Sequence, residues 1–307
     1  MRPVLEAENL SVVFRRPRRQ RHIVAVDGLD LSIKEGEVVG FIGPNGAGKT
    51  TTIKVFMGFI FPTSGTAKVL GYEAGSKIAR SRTGYLPEVA LYYPFLTAEE
   101  ILNVYGRLQG IRKNEMKRMV PRLISKVGLD GFERLRLRDF SRGMLQRIGL
   151  AQAIMGDPDL LILDEVTSGL DPVGRRDLRD ILKEFKDRGK TVFFSSHELS
   201  EVSKMCDRIV LINEGKAVQQ RSVQEILESQ TTYMLKIEAD GTLPALPEGV
   251  HVKKYGEKLY ELETRSRQMH QTLLHELQQS RIRILEMESR EASLEDYFVD
   301  AVGHRID

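Results

Sequence analysis

Gly43-Pro44-Asn45-Gly46-Ala47-Gly48-Lys49-Thr50 is the stretch on which the reading of this chain turns. It sets a lysine and a hydroxyl directly after a glycine-rich run, in the spacing GxxxxGK[ST]. Glycine lets successive backbone N–H groups close around one anion. Lys49 adds a point charge for terminal phosphates, the Thr50 hydroxyl can ligate a magnesium ion, and a helix N-terminus contributes partial positive charge. Residues 37–42 before the run form an apolar stretch of strand length, and residues 48–58 after it have helical spacing. Strand, phosphate loop and helix in that order predict a nucleotide-binding sheet rather than a glycine turn that merely opens a helix. Gly43, Asn45, Gly46, Gly48, Lys49, Thr50 and Thr51 are then the expected phosphate-binding residues.

Outward from this loop, residues 4–227 alternate short β-rich runs with longer helical patterns, the mark of an α/β sheet. Residues 4–14 and 22–33 are expected strands. They are joined by an arginine-rich turn (Arg15, Arg16, Arg18, Arg19 and Arg21) that reads as a solvated hairpin tip. The sheet resumes at residues 160–163, 191–195 and 207–212, the last before a turn at 213–215. Residues 97–127 are mostly helical, punctuated by Gly106, Gly110 and Pro121, and mark a helical insertion over about 89–156 preceded by a loop at 84–88. After residue 230 the pattern becomes a small α+β unit. Tyr233, Leu235 and Ile237 alternate as one strand, Tyr260 and Leu262 suggest another, and Met269, Leu273 and Leu277 line a helix face. Ser293, with Asp296 three residues on, can cap a last helix before Tyr297 and Phe298. The expected domains are 1–230 and 231–307.

Composition narrows the setting. A formal charge of +3 over 307 residues gives no general case for nucleic acid, and none is expected as a partner. No run approaches the ~18–20 apolar residues that cross a bilayer. The start of the chain lacks the apolar core of a secretory signal, and the single Cys206 cannot pair internally, which favours the cytoplasm and an inert thiol. The histidines show no metal-ligand spacing.

A second chemical motif lies at residues 160–165, where Leu-Leu-Ile-Leu runs into Asp164 and Glu165. Acids at the C-terminal end of an apolar strand stand where ligands bind in such sheets. Asp164 would hold magnesium, and Glu165, near the metal but not on it, would polarise the attacking water as general base. Between loop and acids lies Phe140-Ser141-Arg142-Gly143-Met144, opening a helix; beyond them follow Ser168-Gly169-Leu170-Asp171 and Ser195-Ser196-His197.

These elements, in this order, resemble ATP-binding-cassette (ABC) ATPases over residues 1 to about 230. The resemblance implies a P-loop NTPase cassette with a β-rich N-terminal subdomain and a helical insertion, followed by a small C-terminal α+β domain. It implies ATP and Mg as cofactors and Glu165, His197 and Lys49 as catalytic residues, with His197 hydrogen-bonded to the γ phosphate. Ser141 and Gly143 would form an anion site at a helix N-terminus that closes, with Asp171, on ATP held by the Lys49 loop of another protomer. The partner is a second copy of the chain or a homologous cassette, in a head-to-tail dimer around two ATP. Phe14 stands where the family stacks a tyrosine on adenine. Glu88 stands where the family has glutamine and would join Thr50 and Asp164 at the metal.

Arg142 and Met144 replace the glycine and glutamine of the usual LSGGQ. With residues 293–298, they resemble a branch serving drug and polysaccharide exporters. Transmembrane permease subunits are then implied partners. They would be gripped by an aromatic cluster at Tyr92, Tyr93 and Phe95, with Tyr92 and Phe95 pointing outward, from a peripheral position on the cytoplasmic face of the cell membrane. A soluble cassette ATPase of a cofactor-assembly complex is the alternative.

Overall fold

The structure is a computed structural model and describes residues 2–16, 21–239, 243–244, 246–247, 249–280, 282–290, 294 and 297–298. Most of the arginine-rich turn (residues 17–20) and Ser293 and Asp296 of the expected cap lie outside the described residues. The chain divides into two compact units, residues 1–220 and 221–307.

The first unit begins with two long strands, β1 (Pro3–Arg16) and β2 (Arg21–Lys34), paired antiparallel so that Val12 faces Val26 and Phe14 faces Ile23. Next come β3 (Val38–Ile42), helix α1 (Lys49–Phe56), β4 (Ser64–Val69), β5 (Tyr72–Glu73), α2 (Lys77–Ser81) and β6 (Thr83–Leu86). β4 and β5 complete a four-stranded sheet in the order β2-β1-β4-β5. β4 left no apolar alternation in the sequence because four of its six side chains are exposed. Residues 84–86 of the expected loop at 84–88 belong to strand β6.

The insertion carries α3 (Ala98–Leu108), α4 (Lys113–Lys126) and α5 (Arg142–Ile154). α3 opens with a reciprocal capping box between Thr97 and Glu100, satisfying two orphan N–H groups. Neither Gly106 nor Pro121 breaks a helix. Gly106 lies where α3 meets α4, and a Cβ there would fall 2.1 Å from Met116 Sδ. Pro121 sits on the exposed face of α4, where the carbonyl it leaves unpaired can meet water.

The chain then lays down β7 (Leu160–Leu163), α6 (Pro172–Asp187), β8 (Thr191–Ser196), α7 (Leu199–Met205), β9 (Arg208–Asn213) and β10 (Lys216–Ser222). The second sheet has the order β10-β9-β3-β8-β7-β6, and its β9-β3-β8-β7-β6 portion is parallel. β3, β7 and β8 are buried along their whole length, which is why β3 and β7 read as unbroken apolar runs rather than as alternation. Phe41 and Phe56 pack on Phe193 at the centre, with ring centroids 5.2 and 6.1 Å apart. Because the strands are parallel, the residues that follow Ile42, Leu86, Leu163 and Ser196 all emerge at one edge. Register fixes this: Ile42 pairs with Ser196, Leu163 with Phe194, and Leu86 with Leu163.

The second unit opens with α8 (Val223–Gln230) and forms an antiparallel sheet in the order β12-β13-β11-β14. Its strands are β11 (Thr232–Glu238), β12 (His251–Tyr255), β13 (Leu259–Thr264) and β14 (Arg283–Arg290). Helix α9 (Arg267–Gln279) supplies Leu273 and Leu277 to a core with Leu235, Ile237, Tyr260 and Leu262. Among the described residues, no helix is long and apolar enough to cross a membrane.

Candidate functional site

The loop between β3 and α1 closes around its own lysine. Gly43 is pinned beneath Ile212, whose carbonyl oxygen would lie 2.2 Å from any Cβ; Gly48, at φ +107, would place a Cβ 2.4 Å from Ala25 O. Only glycine fits either position. The turn brings Lys49, 5% exposed, back over the loop. Its Nζ donates to Gly43 O at 2.7 Å and Pro44 O at 3.2 Å and pairs with Glu165 Oε1 at 3.3 Å.

Beside it, one hydroxyl organises both acids at the end of β7. Ser195 Oγ donates to Asp164 Oδ1 at 2.7 Å and accepts from Glu165 N–H at 2.8 Å. Thr50 Oγ1 donates to the same Asp164 oxygen at 3.2 Å. Burial first, then the Glu165 and Glu88 charges, raise the Asp164 carboxyl above its ordinary value, against the pull of the two hydroxyl donors. The phenol of neighbouring Tyr85 is pushed up to about 12, by burial and then by the Asp164 charge. Glu165 holds a left-handed backbone, φ +50, rare for a non-glycine residue. Its Oε2 lies 2.6 Å from His197 Nδ1, so the carboxylate is held between a lysine and an imidazole.

These groups surround a cavity of about 450 Å³ lined by Asn45, Gly46, Gly48, Lys49, Thr50, Thr51, Glu88, Glu165 and His197. Ile23, Val24 and Ala25 of β2 and Ser168 complete the wall; the sequence reading missed the first three and named Ser168 in its motif without giving it a place at the site. The signal lay in Ile23 and Val24, apolar side chains that remain 40% and 52% exposed. A lining that combines a lysine and phosphate-loop residues with the partly exposed aliphatic side chains of Ile23 and Val24 suits a molecule with phosphates and a flat base.

Six expected residues are not in the cavity wall: Gly43 and Asp164 are hydrogen-bonded to the wall residues Lys49 and Thr50, and the other four stand apart. Phe14 is exposed on β1, while its cross-strand neighbour Ile23 lines the space. Ser141 caps α5 by accepting from Met144 N–H at 3.2 Å, and Gly143 packs against the Gly169 carbonyl. Asp171 caps α6, accepting from Gly174 N–H at 2.8 Å.

In the aromatic cluster the outward pair is Tyr93 with Phe95, 61% and 64% exposed and 5.7 Å apart. The expected Tyr92 instead turns inward. Its hydroxyl lies over Gly149 and 3.4 Å from Gln152 Oε1, and its ring meets Tyr105 edge-on, so burial raises its pKa. Cys206 presses its sulfur toward Gly40, and burial pushes the thiol well up, as expected of an inert residue.

The ABC transporter family profile matches residues 26–168, from β2 just after the cavity-lining Ala25 through the Asp164–Glu165 strand end to Ser168. An ABC transporter ATP-binding protein of Nostoc sp. is 43% identical over 213 residues, covering 69% of this chain and 64% of that protein. The bacitracin transport ATP-binding protein of Bacillus licheniformis is 34% identical over 286 residues, covering 91% of this chain and 92% of its own length. A solved ATP-binding subunit of an ABC transporter is similar in fold, with a TM-score of 0.65 at 30% identity, covering 73% of this chain and 91% of that one.

Proposed function

This chain belongs to the ATP-binding proteins of ABC transporters, and on that premise we propose that it is the ATP-hydrolysing motor subunit of a membrane exporter. It works from the cytoplasmic face as a peripheral subunit and closes head to tail with a second copy or a homologous cassette around two ATP. Through that cycle it drives transmembrane permease subunits. The observation that carries this reading is the meeting of Lys49, Thr50, Asp164, Glu165, Glu88 and His197 at one sheet edge.

The donors fit magnesium. The Thr50 hydroxyl lies 3.2 Å from a carboxylate oxygen of buried Asp164, and Glu88 lines the same cavity as Thr50. Asp164 carries a burial cost that a cation would relieve. All are hard oxygen ligands and too few to retain a metal without phosphate, the usual manner of Mg²⁺ in nucleotide sites. Among the described residues, no cluster of three or more histidine, cysteine or carboxylate ligands offers an alternative.

Bound Mg-ATP supplies the phosphoryl group and the metal charge; the chain supplies the rest. Lys49 exchanges its contacts with Gly43 O and Glu165 for phosphate oxygens. Released from that pair, Glu165 accepts the proton of the attacking water at its carboxylate, while His197 steadies Oε2 through Nδ1. Ser195 holds the two acids in fixed relation, so neither reorients during the reaction. Ser141, Gly143 and Asp171 lie outside the cavity, which supports a site completed by another chain. Tyr93 and Phe95 offer the aromatic anchors for a permease segment.

The membrane role is tested by purifying the chain from membranes in mild detergent. An integral membrane protein is expected to co-purify; its absence would favour a soluble cofactor-assembly ATPase.

A further inference from the structure

The exposed Arg142, which replaces a glycine of the usual signature, occupies the first position of α5. A cation there opposes the helix dipole. Its side chain is nevertheless engaged. Nη2 donates to Ser168 Oγ at 2.8 Å, and a Cβ on Gly169 would lie 3.2 Å from Arg142 Cγ, Cδ and Nε.

This contact is one of several that α5 makes to the same segment. Gln146, four residues on and on the same face, is buried, and its Nε2 donates to Val166 O at 3.4 Å. Arg147 Nη2 reaches Asp171 Oδ1 at 3.6 Å and is itself anchored by Asp177 at 2.7 Å and by Val127 O at 2.6 Å. α5 therefore grips residues 166–171 at both ends and in the middle. The gripped segment begins at the φ +50 backbone of Glu165, and Ser168 N–H donates back to Glu165 O at 3.1 Å. Ser168 also lines the nucleotide cavity.

We propose that Arg142 is a positioning residue: it locks the Ser168–Gly169 turn onto the N-terminal end of α5, so that movement of this end is felt at Glu165 of the same chain. The inference rests on the two-chain reading above. There, the Ser141 end of α5 meets the ATP held by the partner, whereas Glu165 acts on the ATP held by its own chain. Arg142 then ties the firing of one site to engagement at the other. Nothing in this arrangement places Arg142 on the nucleotide held by its own chain.

The test is steady-state ATP hydrolysis by the full chain with Arg142→Ala, Ser168→Ala, the double variant and Arg142→Lys, alongside Glu165→Gln. Arg142→Ala is expected to lower kcat about tenfold with KM changed less than about twofold, because catalytic geometry and not binding is lost. Ser168→Ala should give the same loss, and the double variant no more than either alone. Arg142→Lys, which keeps a donor on a flexible stem, should recover at least about half of kcat. Melting temperatures should stay at the wild-type value, since an exposed side chain leaves no cavity. Losses that multiply in the double variant, a change confined to KM, or an unaltered kcat would overturn the inference while leaving the motor reading intact. A wild-type chain without Glu165-dependent turnover would overturn the motor reading, and this inference with it.

Discussion

Asp164 shows how the site stores its readiness. The carboxylate is 1% exposed, near two other acids, and held by two hydroxyls. Because its folded-state pKa is raised, the protonated form is favoured, so its contribution to stability is greatest in acid. That contribution is lost as pH rises from the ordinary Asp value of 3.8 through the raised one. At neutral pH the charge is a cost. Asp164→Asn keeps an acceptor for Ser195 and Thr50 and removes that cost. The nucleotide-free chain should melt higher, by about 2–4 °C per kcal/mol relieved, and its stability should lose the decline above pH 3.8. Mg-ATP, which should raise the melting temperature of the wild type, should no longer do so in the variant. Thermal scans across pH, with and without Mg-ATP, check all three.

At the scale of elements, the site depends on how closely α5 approaches the sheet. α5 crosses β6 over Gly84, where a Cβ would fall 1.9 Å from the Ala153 carbonyl. Backbone cannot yield as a side-chain tip does. Gly84→Ala should therefore force α5 outward and cost at least about 1–3 kcal/mol, seen as a lower melting temperature. Hydrolysis should fall further than stability alone explains, because α5 holds the segment that follows Glu165. The same element marks the limit of what the sequence discloses. The buried parallel strands were legible because burial on both faces leaves an apolar run, and the phosphate loop because its chemistry admits few substitutes. Pro121 and Gly106 misled because a breaker is tolerated on a wet face or at a tight crossing, and neither condition is written locally. Ser195 was read only as a neighbour of His197. Its link to both acids depends on β8 lying beside β7, a fact of register. The inward turn of Tyr92 likewise follows from Gly149, 57 residues away, leaving room for its hydroxyl.

For the whole molecule, every residue that lines the cavity lies in the first unit, from Ile23 to His197. Removing residues 231–307 should thus leave Mg-ATP affinity within about twofold, as measured by equilibrium binding. A large loss of affinity would mean that the second unit shapes the site. The cavity itself brings together Lys49, Thr50, Glu88 and Glu165 but not Ser141, Gly143 or Asp171. On the present account it is half of a site, whose other half another chain supplies. Sedimentation of the Glu165→Gln chain with Mg-ATP tests this most directly, since binding without turnover should trap the closed state. The account predicts a species of twice the chain mass that requires ATP, is absent with ADP, and is lost when Ser141→Arg is added. A chain that stays single under ATP, while the wild type hydrolyses at a rate per chain independent of concentration and of Ser141, would contradict it.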